Sequence, residues 1–234
     1  MKSHGLLMKP DLIRATLAEI KTEHRVIPTP RNTFFDGWTW PKELTKSAVY
    51  KPAAYKTALD WANATIDPGP SPAGNAGPYL HVRWPENETT HRIYPHIQPG
   101  DEIYVKEAFC HDPEDGYYYK ADGEDIRMED GDGYQQWTKQ GVPASPWRSP
   151  LFMPRDAARI VRPVLEVGYE WLHDITEVGA ISEGFEAHGC IGSRKRGAQY
   201  SSAKDGFLAK WLEIHGNTDN RIVLVYKFGK ENVA

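Results

Sequence analysis

The chain has 234 residues, of which 26% are charged and 40% hydrophobic, and its formal net charge is −4. These proportions predict a globular core, and the negative charge excludes a protein that coats nucleic acid through bulk electrostatics. Contact with nucleic acid would therefore need a local patch of the surface. The two cysteines, Cys110 and Cys190, are too few for a disulfide framework or a cysteine-based zinc site.

Neither a membrane segment nor a cofactor site is predicted. The first apolar run, Leu6 to Met8, is interrupted by Lys9-Pro10, so we expect no signal peptide and no transmembrane helix. Together with the low cysteine usage this predicts a cytoplasmic protein without a membrane partner. Four histidines show no metal-ligand spacing, so no metal and no other cofactor is expected. They are His81, His91, His96 and His111.

The first predicted element is a helix that begins at Pro10 and ends near Glu19 or Ile20. Apolar residues recur in it at helical spacing, at Ile13, Leu17 and Ile20. Residues 21–27 then indicate a strand, which Pro28 ends.

The side chains of this strand are predicted to alternate between its two faces. Lys21, Glu23 and Arg25 share one face, and Thr22 and His24 share the other. In a regular strand Lys21 and His24 therefore converge only if a bulge intervenes.

Residues 31–95 are predicted to form an insertion after this strand. Residues 67–75 are dense in proline, glycine and asparagine and indicate a loop. A short helix is predicted within residues 45–64, from apolar residues at roughly helical spacing. The segment is too small for a stable core of its own.

Several strands are expected after the insertion. Pro99-Gly100-Asp101 indicates a turn, after which Ile103 and Val105 alternate with polar residues. Residues 117–119 are a second strand candidate. Residues 158–172 are rich in strand formers but are broken at Pro163 and Gly168, as in the bent strands of small barrels.

The C-terminal third predicts two helices and a last strand. Asp174 is expected to cap a short helix that closes at Gly184. A second helix ends at Gly216 and is followed by a strand over residues 221–228; its apolar face holds Phe207, Leu208, Trp211 and Leu212. Short strands with few helices favour an α+β fold built on a small, partly closed β-barrel with flanking helices.

Several segments together resemble the ASCH family of the PUA-like superfamily, in particular its phage and prophage group. Residues 17–26 are similar to a signature G-x-K-x-x-(E or T)-x-R, in which Lys21 stands at the lysine. The chain departs from it at Glu19 (usually glycine), His24 (usually Glu or Thr) and Val26 (usually arginine). The segments 99–109, 147–160 and 174–184 are similar to later motifs of the same group.

The resemblance implies one PUA-like domain over residues 1–234, with residues 31–95 inserted in it. Some small ASCH proteins are amidohydrolases that remove the acetyl group from N4-acetylcytidine with a signature lysine, a threonine and a later glutamate. Lys21 and Glu183 match the lysine and the glutamate, and His24 stands at the threonine position. Other members are implicated in binding RNA or DNA, and one branch is linked to ribonuclease action.

The predicted site therefore has two groups of residues. Lys21, His24 and Glu183 are the candidate catalytic residues, with His24 as a proton shuttle in place of a hydroxyl. The expected partner is a nucleoside or RNA, with DNA as a further option. The candidate substrate-binding residues are Thr22, Arg25, Arg155, Arg159, Arg194, Lys195 and Arg196.

Simpler interpretations remain open at this point. Lys21 could be an exposed strand lysine, Glu183 a solvated surface glutamate, and Arg155 and Arg159 members of structural salt bridges. At the level of function, the alternatives to an amidohydrolase are a non-enzymatic RNA- or protein-binding module of phage origin and a ribonuclease.

Overall fold

A computed structural model describes residues 1–28, 33–35, 60–70, 77–83, 90–112, 116–122, 147–187, 189–191 and 199–230. Within these ranges the fold is mixed, with mostly strands and few helices. The helices are α1 (Pro10–Leu17), α2 (Glu177–Ser182) and α3 (Ala203–His215). The strands are β1 (Ser3–Leu7), β2 (Glu23–Val26), β3 (Thr33–Phe35), β4 (Asp60–Asp67), β5 (Tyr79–Arg83), β6 (Thr90–Pro95), β7 (Glu102–Lys106), β8 (Phe109–Asp112), β9 (Gly116–Tyr119), β10 (Val161–Trp171), β11 (Phe185–Glu186), β12 (Gly189–Cys190) and β13 (Ile222–Phe228).

The largest sheet has five strands in the order β1-β7-β10-β13-β2. β1 pairs with β7 in parallel, and the other neighbours are antiparallel. The sheet brings N-terminal and C-terminal segments together, because β2 pairs with β13, the last strand. The register places Arg25 opposite Val225 and His24 opposite Tyr226, so these two β2 side chains lie on opposite faces.

The predicted insertion contains a sheet of its own. Its antiparallel strands have the order β3-β6-β5-β4. The helix predicted within residues 45–64 is wrong over residues 60–64, which belong to β4, because pairing with β5 overrides a weak helical spacing. The rest of that prediction lies outside the described residues.

One hydrophobic core connects the two larger sheets. Leu80, Val82 and Ile93 of the four-stranded sheet are fully buried in the same cluster as Ile103 and Leu224 of the five-stranded sheet. The four-stranded sheet therefore adds its apolar face to a shared core, as expected for a segment too small to build one alone.

The remaining strands form two-stranded pairs, β8 with β9 and β11 with β12. The strand expected at residues 117–119 is confirmed as β9. Residues 161–171 form one long strand, β10, with a register shift between Val164 and Glu166. Among the described residues the strands form separate sheets, and none of these sheets closes into a barrel.

The helix ends agree in part with the predictions. Gly184 and Gly216 both have positive φ, +93° and +76°, and each follows a helix as expected. Asp174 is not the cap of α2, because it ends a 3-10 turn; Thr176 caps the helix instead and accepts a hydrogen bond from the Gly179 N–H at 3.0 Å. None of the helices in the described ranges has the length and apolar character needed to cross a bilayer.

Candidate functional site

The end of α1 places Lys21. Ile20 donates its N–H to the Ala15 carbonyl at 3.1 Å and Glu19 donates to the Thr16 carbonyl at 3.0 Å, which is the hydrogen-bond pattern of a Schellman motif. Glu19 has a φ of +58°, in the left-handed region that favours glycine. The position where the ASCH signature usually has glycine is thus a helix end that needs this conformation.

The end of α2 places Glu183 next to Lys21. Glu183 is the C-cap residue, and Gly184 follows in the left-handed conformation. A Cβ on Gly184 would lie 2.9 Å from the Ala15 Cβ and 3.5 Å from the Lys21 Cβ. The absence of a side chain at Gly184 therefore lets the two helix ends pack closely. Thr22 joins them further, since its N–H donates to the Ser182 carbonyl at 2.8 Å.

Lys21 and Glu183 form a buried ion pair in this packing. Their residues are only 1% and 3% exposed, so neither is the surface residue that the simpler interpretation expects. Lys21 Nζ donates to Glu183 Oε2, to the Glu183 carbonyl at 3.2 Å and to the Glu23 carbonyl at 2.5 Å. Three acceptors match the three protons of an ammonium group, which is the form that this geometry stabilises.

Arg25 binds the other oxygen of the same carboxylate. Its Nη1 lies 3.3 Å from Glu183 Oε1, its Nε donates to Glu170 Oε1 at 2.6 Å, and its Nη2 lies 2.8 Å from Glu23 Oε2. Burial alone would lower the pKa of Arg25, but Glu183, Glu170 and Glu23 raise it above its usual value. The guanidinium is held between three carboxylates.

His24 lies next to this ion pair with a ring nitrogen that has no hydrogen bond. Its Nδ1 is buried, lacks a partner and lies 3.9 Å from Glu183 Oε2. Burial, followed by the charges of Lys21 and Arg25, lowers the pKa of His24 well below 6.5. The imidazole is therefore neutral at pH 7, and one of its nitrogens is a proton acceptor.

The predicted separation of Lys21 from His24 is wrong. β2 begins at Glu23, so Lys21 lies in the connection before the strand and not on one of its faces. Lys21 reaches the outer edge of β2, where its ammonium binds the Glu23 carbonyl. His24 and Lys21 meet at Glu183 without a bulge.

Arg155 and Arg159 do not join this cluster. Arg155 forms a bidentate pair with Glu102, with distances of 2.9 and 3.2 Å. Arg159 pairs with Glu107 at 2.9 and 3.0 Å and with Asp122 at 2.8 Å. Its guanidinium also lies 4.1 Å from the centre of the Tyr119 ring. Both arginines therefore form ion pairs, as the salt-bridge alternative expects, and a role for them in binding substrate stays a prediction.

Three predicted residues lie outside the described part of the chain: Arg194, Lys195 and Arg196. Two site residues were missed. Glu170 was hidden within the long β10, where the alternation of Glu166, Gly168 and Glu170 marks the polar face. Gly179 is in the middle of α2, and a glycine inside a helix is a signal of close packing.

The described residues contain no group of three or more His, Cys, Asp or Glu side chains arranged to hold a metal ion. Comparison with protein-family models, with curated proteins and with solved structures found no match for this chain.

Proposed function

We propose that the chain is a PUA-like protein of the ASCH type that binds a nucleobase or nucleoside and hydrolyses the amide of an acylated cytidine. One observation carries the proposal. Lys21 and Glu183, which the ASCH resemblance pairs although they are 162 positions apart, form a buried ion pair beside the neutral His24. The register shift in β10 is an irregularity that suits a strand bent into a small barrel.

His24 is the general base of the proposed reaction. A water molecule attacks the acetyl carbon while the unprotonated ring nitrogen of the neutral imidazole takes one of its protons. The imidazolium then returns this proton to the N4 atom as the carbon–nitrogen bond breaks. The products are cytidine and acetic acid, which releases its remaining proton to solvent to give acetate, and His24 ends the cycle neutral, as it began.

Lys21 stabilises the oxyanion. Its three donors already have acceptors, so the substrate carbonyl has to displace one of them. The Glu183 carbonyl at 3.2 Å is more distant than the Glu23 carbonyl at 2.5 Å and is the one we expect to be displaced. A preorganised cation in a buried site is an effective partner for developing negative charge.

Glu183 holds the cations and does not itself take the proton. One of its oxygens is bound by Lys21 and the other by Arg25. Both of its oxygens are thus occupied by cationic side chains, and neither is free to accept a hydrogen bond from the attacking water. Glu183 therefore orients Lys21 and Arg25, and His24 transfers the proton.

The test is incubation of the pure protein with N4-acetylcytidine, followed by mass spectrometry of the products. Wild-type protein is expected to release cytidine, Lys21→Met to lose this activity, and Lys227→Met to keep it. Lys227 is the matched control because it lies on the neighbouring strand in an exposed ion pair with Glu166. His24→Gln, which leaves the Lys21–Glu183 pair in place, is expected to be inactive as well. Full activity of Lys21→Met or of His24→Gln would refute the proposal.

A second candidate is a non-enzymatic module that binds a nucleoside or RNA. It is favoured by the saturation of Lys21, whose side chain is 0% exposed. Structured RNA in the same assay separates the alternatives. Lys21-dependent RNA fragments indicate a ribonuclease, whereas binding of nucleoside or RNA without turnover indicates the module.

A further inference from the structure

Arg25 was predicted from the sequence to bind substrate, but its contacts assign it another task. All three guanidinium nitrogens are engaged by carboxylates, and the side chain is 3% exposed. We propose that Arg25 is a positioning residue that fixes the orientation of Glu183, and that Gly179 provides the space in which it does so. The inference rests on the proposed function, because it concerns the same site.

Carboxylates of the sheet hold the Arg25 guanidinium, and the guanidinium in turn holds the carboxylate of Glu183 at the end of α2. Glu170 on β10 and Glu23 on β2 hold the guanidinium at 2.6 and 2.8 Å. The guanidinium in turn holds Glu183 Oε1 at 3.3 Å and reaches the Gly179 carbonyl at 3.4 Å. With Oε1 fixed in this way, Oε2 is directed at Lys21. A carboxylate bound by Lys21 alone would keep its terminal rotation, since an ammonium is a point charge without a preferred plane.

Gly179 lies one helical turn before Glu183 and beneath the guanidinium. A Cβ at this position would lie 2.9 Å from Arg25 Nη2 and 3.3 Å from Thr176 Oγ1, closer than side chains normally approach. Glycine inside a helix is less favourable than alanine by about 1 kcal/mol. A need for space explains why glycine stands here, because any larger residue at position 179 would contact the Arg25 guanidinium.

The experiment compares two ways of disturbing Arg25. Gly179→Ala keeps every charge but pushes the guanidinium, and Arg25→Lys keeps the charge but loses the planar fork. Gly168→Ala is the control, because a Cβ there meets nothing within 4 Å. With N4-acetylcytidine, both test variants are expected to lower kcat on the order of tenfold, with little change in KM, since a small misplacement of catalytic groups lowers the rate of chemistry. The control is expected to match wild type.

A second readout does not depend on turnover. Arg25 is one of the charges that lower the pKa of His24, so displacing it is expected to raise the pKa of the His24 ring measured by NMR titration. In thermal unfolding, Gly179→Ala is expected to destabilise the protein, but to be neutral or stabilising when combined with Arg25→Ala. This reversal would identify the guanidinium as the group that the added methyl meets.

The outcomes separate the two proposals. A wild-type protein without turnover refutes the enzymatic function, and the NMR and unfolding measurements then decide the role of Arg25 alone. An active wild type whose Gly179→Ala variant keeps its kcat and its His24 pKa overturns the positioning role. So does a Gly179→Ala penalty that persists in the Arg25→Ala background.

Discussion

The Lys21–Glu183 ion pair is expected to show strong energetic coupling, and removing Glu183 is expected to cost more stability than removing Lys21. Removing one partner of a buried pair typically costs about 3–5 kcal/mol, because a charge is left in the interior without compensation. Lys21→Met leaves Glu183 bound to Arg25, so we expect the lower end of this range, about 3 kcal/mol. Glu183→Gln leaves the Lys21 ammonium without a carboxylate, while Arg25 keeps Glu23 and Glu170. For this change we expect the upper end, about 4–5 kcal/mol.

The double variant is expected to cost little more than Glu183→Gln alone, which gives a coupling energy of about 2–3 kcal/mol. Urea unfolding followed by tryptophan fluorescence measures each free energy. The exposed pair of Lys227 and Glu166, at 2.9 Å, is the control, and its coupling is expected to be below about 1 kcal/mol. Equal coupling energies for the two pairs would show that burial does not strengthen the Lys21–Glu183 interaction, contrary to this expectation.

Three further predictions concern single positions. Glu19→Gly is expected to raise the free energy of unfolding by roughly 0.5–1 kcal/mol, since it relieves a left-handed residue at some cost in chain entropy; Glu19→Ala, which keeps the strain, should give no such gain. Gly184→Ala is expected to destabilise the protein by at least about 1–2 kcal/mol, because the φ of Gly184 is positive and the added Cβ would lie 2.9 Å from the Ala15 Cβ. An unchanged midpoint of urea unfolding would contradict this. Because the pKa of His24 is lowered in the folded protein, the unfolded chain binds a proton at a higher pH than the folded chain does. Stability from this group is complete above pH 6.5 and is lost as the pH falls from 6.5 towards the folded pKa, by up to about 1.4 kcal/mol per pH unit. The advantage of wild type over His24→Gln should therefore shrink between pH 7.5 and 5.5, and an advantage that grows would show the opposite sign.

Local signals in the sequence predicted much of the architecture. Gly216 and the apolar spacing before it predicted α3, and the alternation in residues 221–228 predicted β13. These elements form from residues close together in the chain, where periodicity and turn chemistry decide the outcome. The exact start of α2 was missed because Asp174 and Thr176 are both good caps, and only the observed turn selects between them.

The pairing of Lys21 with Glu183 was predicted only from the resemblance drawn in the sequence analysis, and no local pattern indicated it. Nothing local to Lys21 indicates that it is buried, since its burial depends on packing against Glu183, 162 positions away in the chain. The partners of Arg159 were equally hidden, because Glu107 and Asp122 are 52 and 37 positions away. Long-range ion pairs leave no periodic trace in a single sequence. A local signal near the site was Gly179, because a glycine inside a helix often marks close packing against a neighbour.

The proposed hydrolysis of an acylated cytidine by Lys21, His24 and Glu183 can be followed in ¹⁸O-labelled water. Water attack on the acetyl carbon transfers one labelled oxygen to acetate and none to cytidine. We expect singly labelled acetate from wild-type protein, and none above background from Lys21→Met or His24→Gln. Absence of labelled acetate from the wild type, with protein and N4-acetylcytidine in equal amounts, would rule out the proposed hydrolysis.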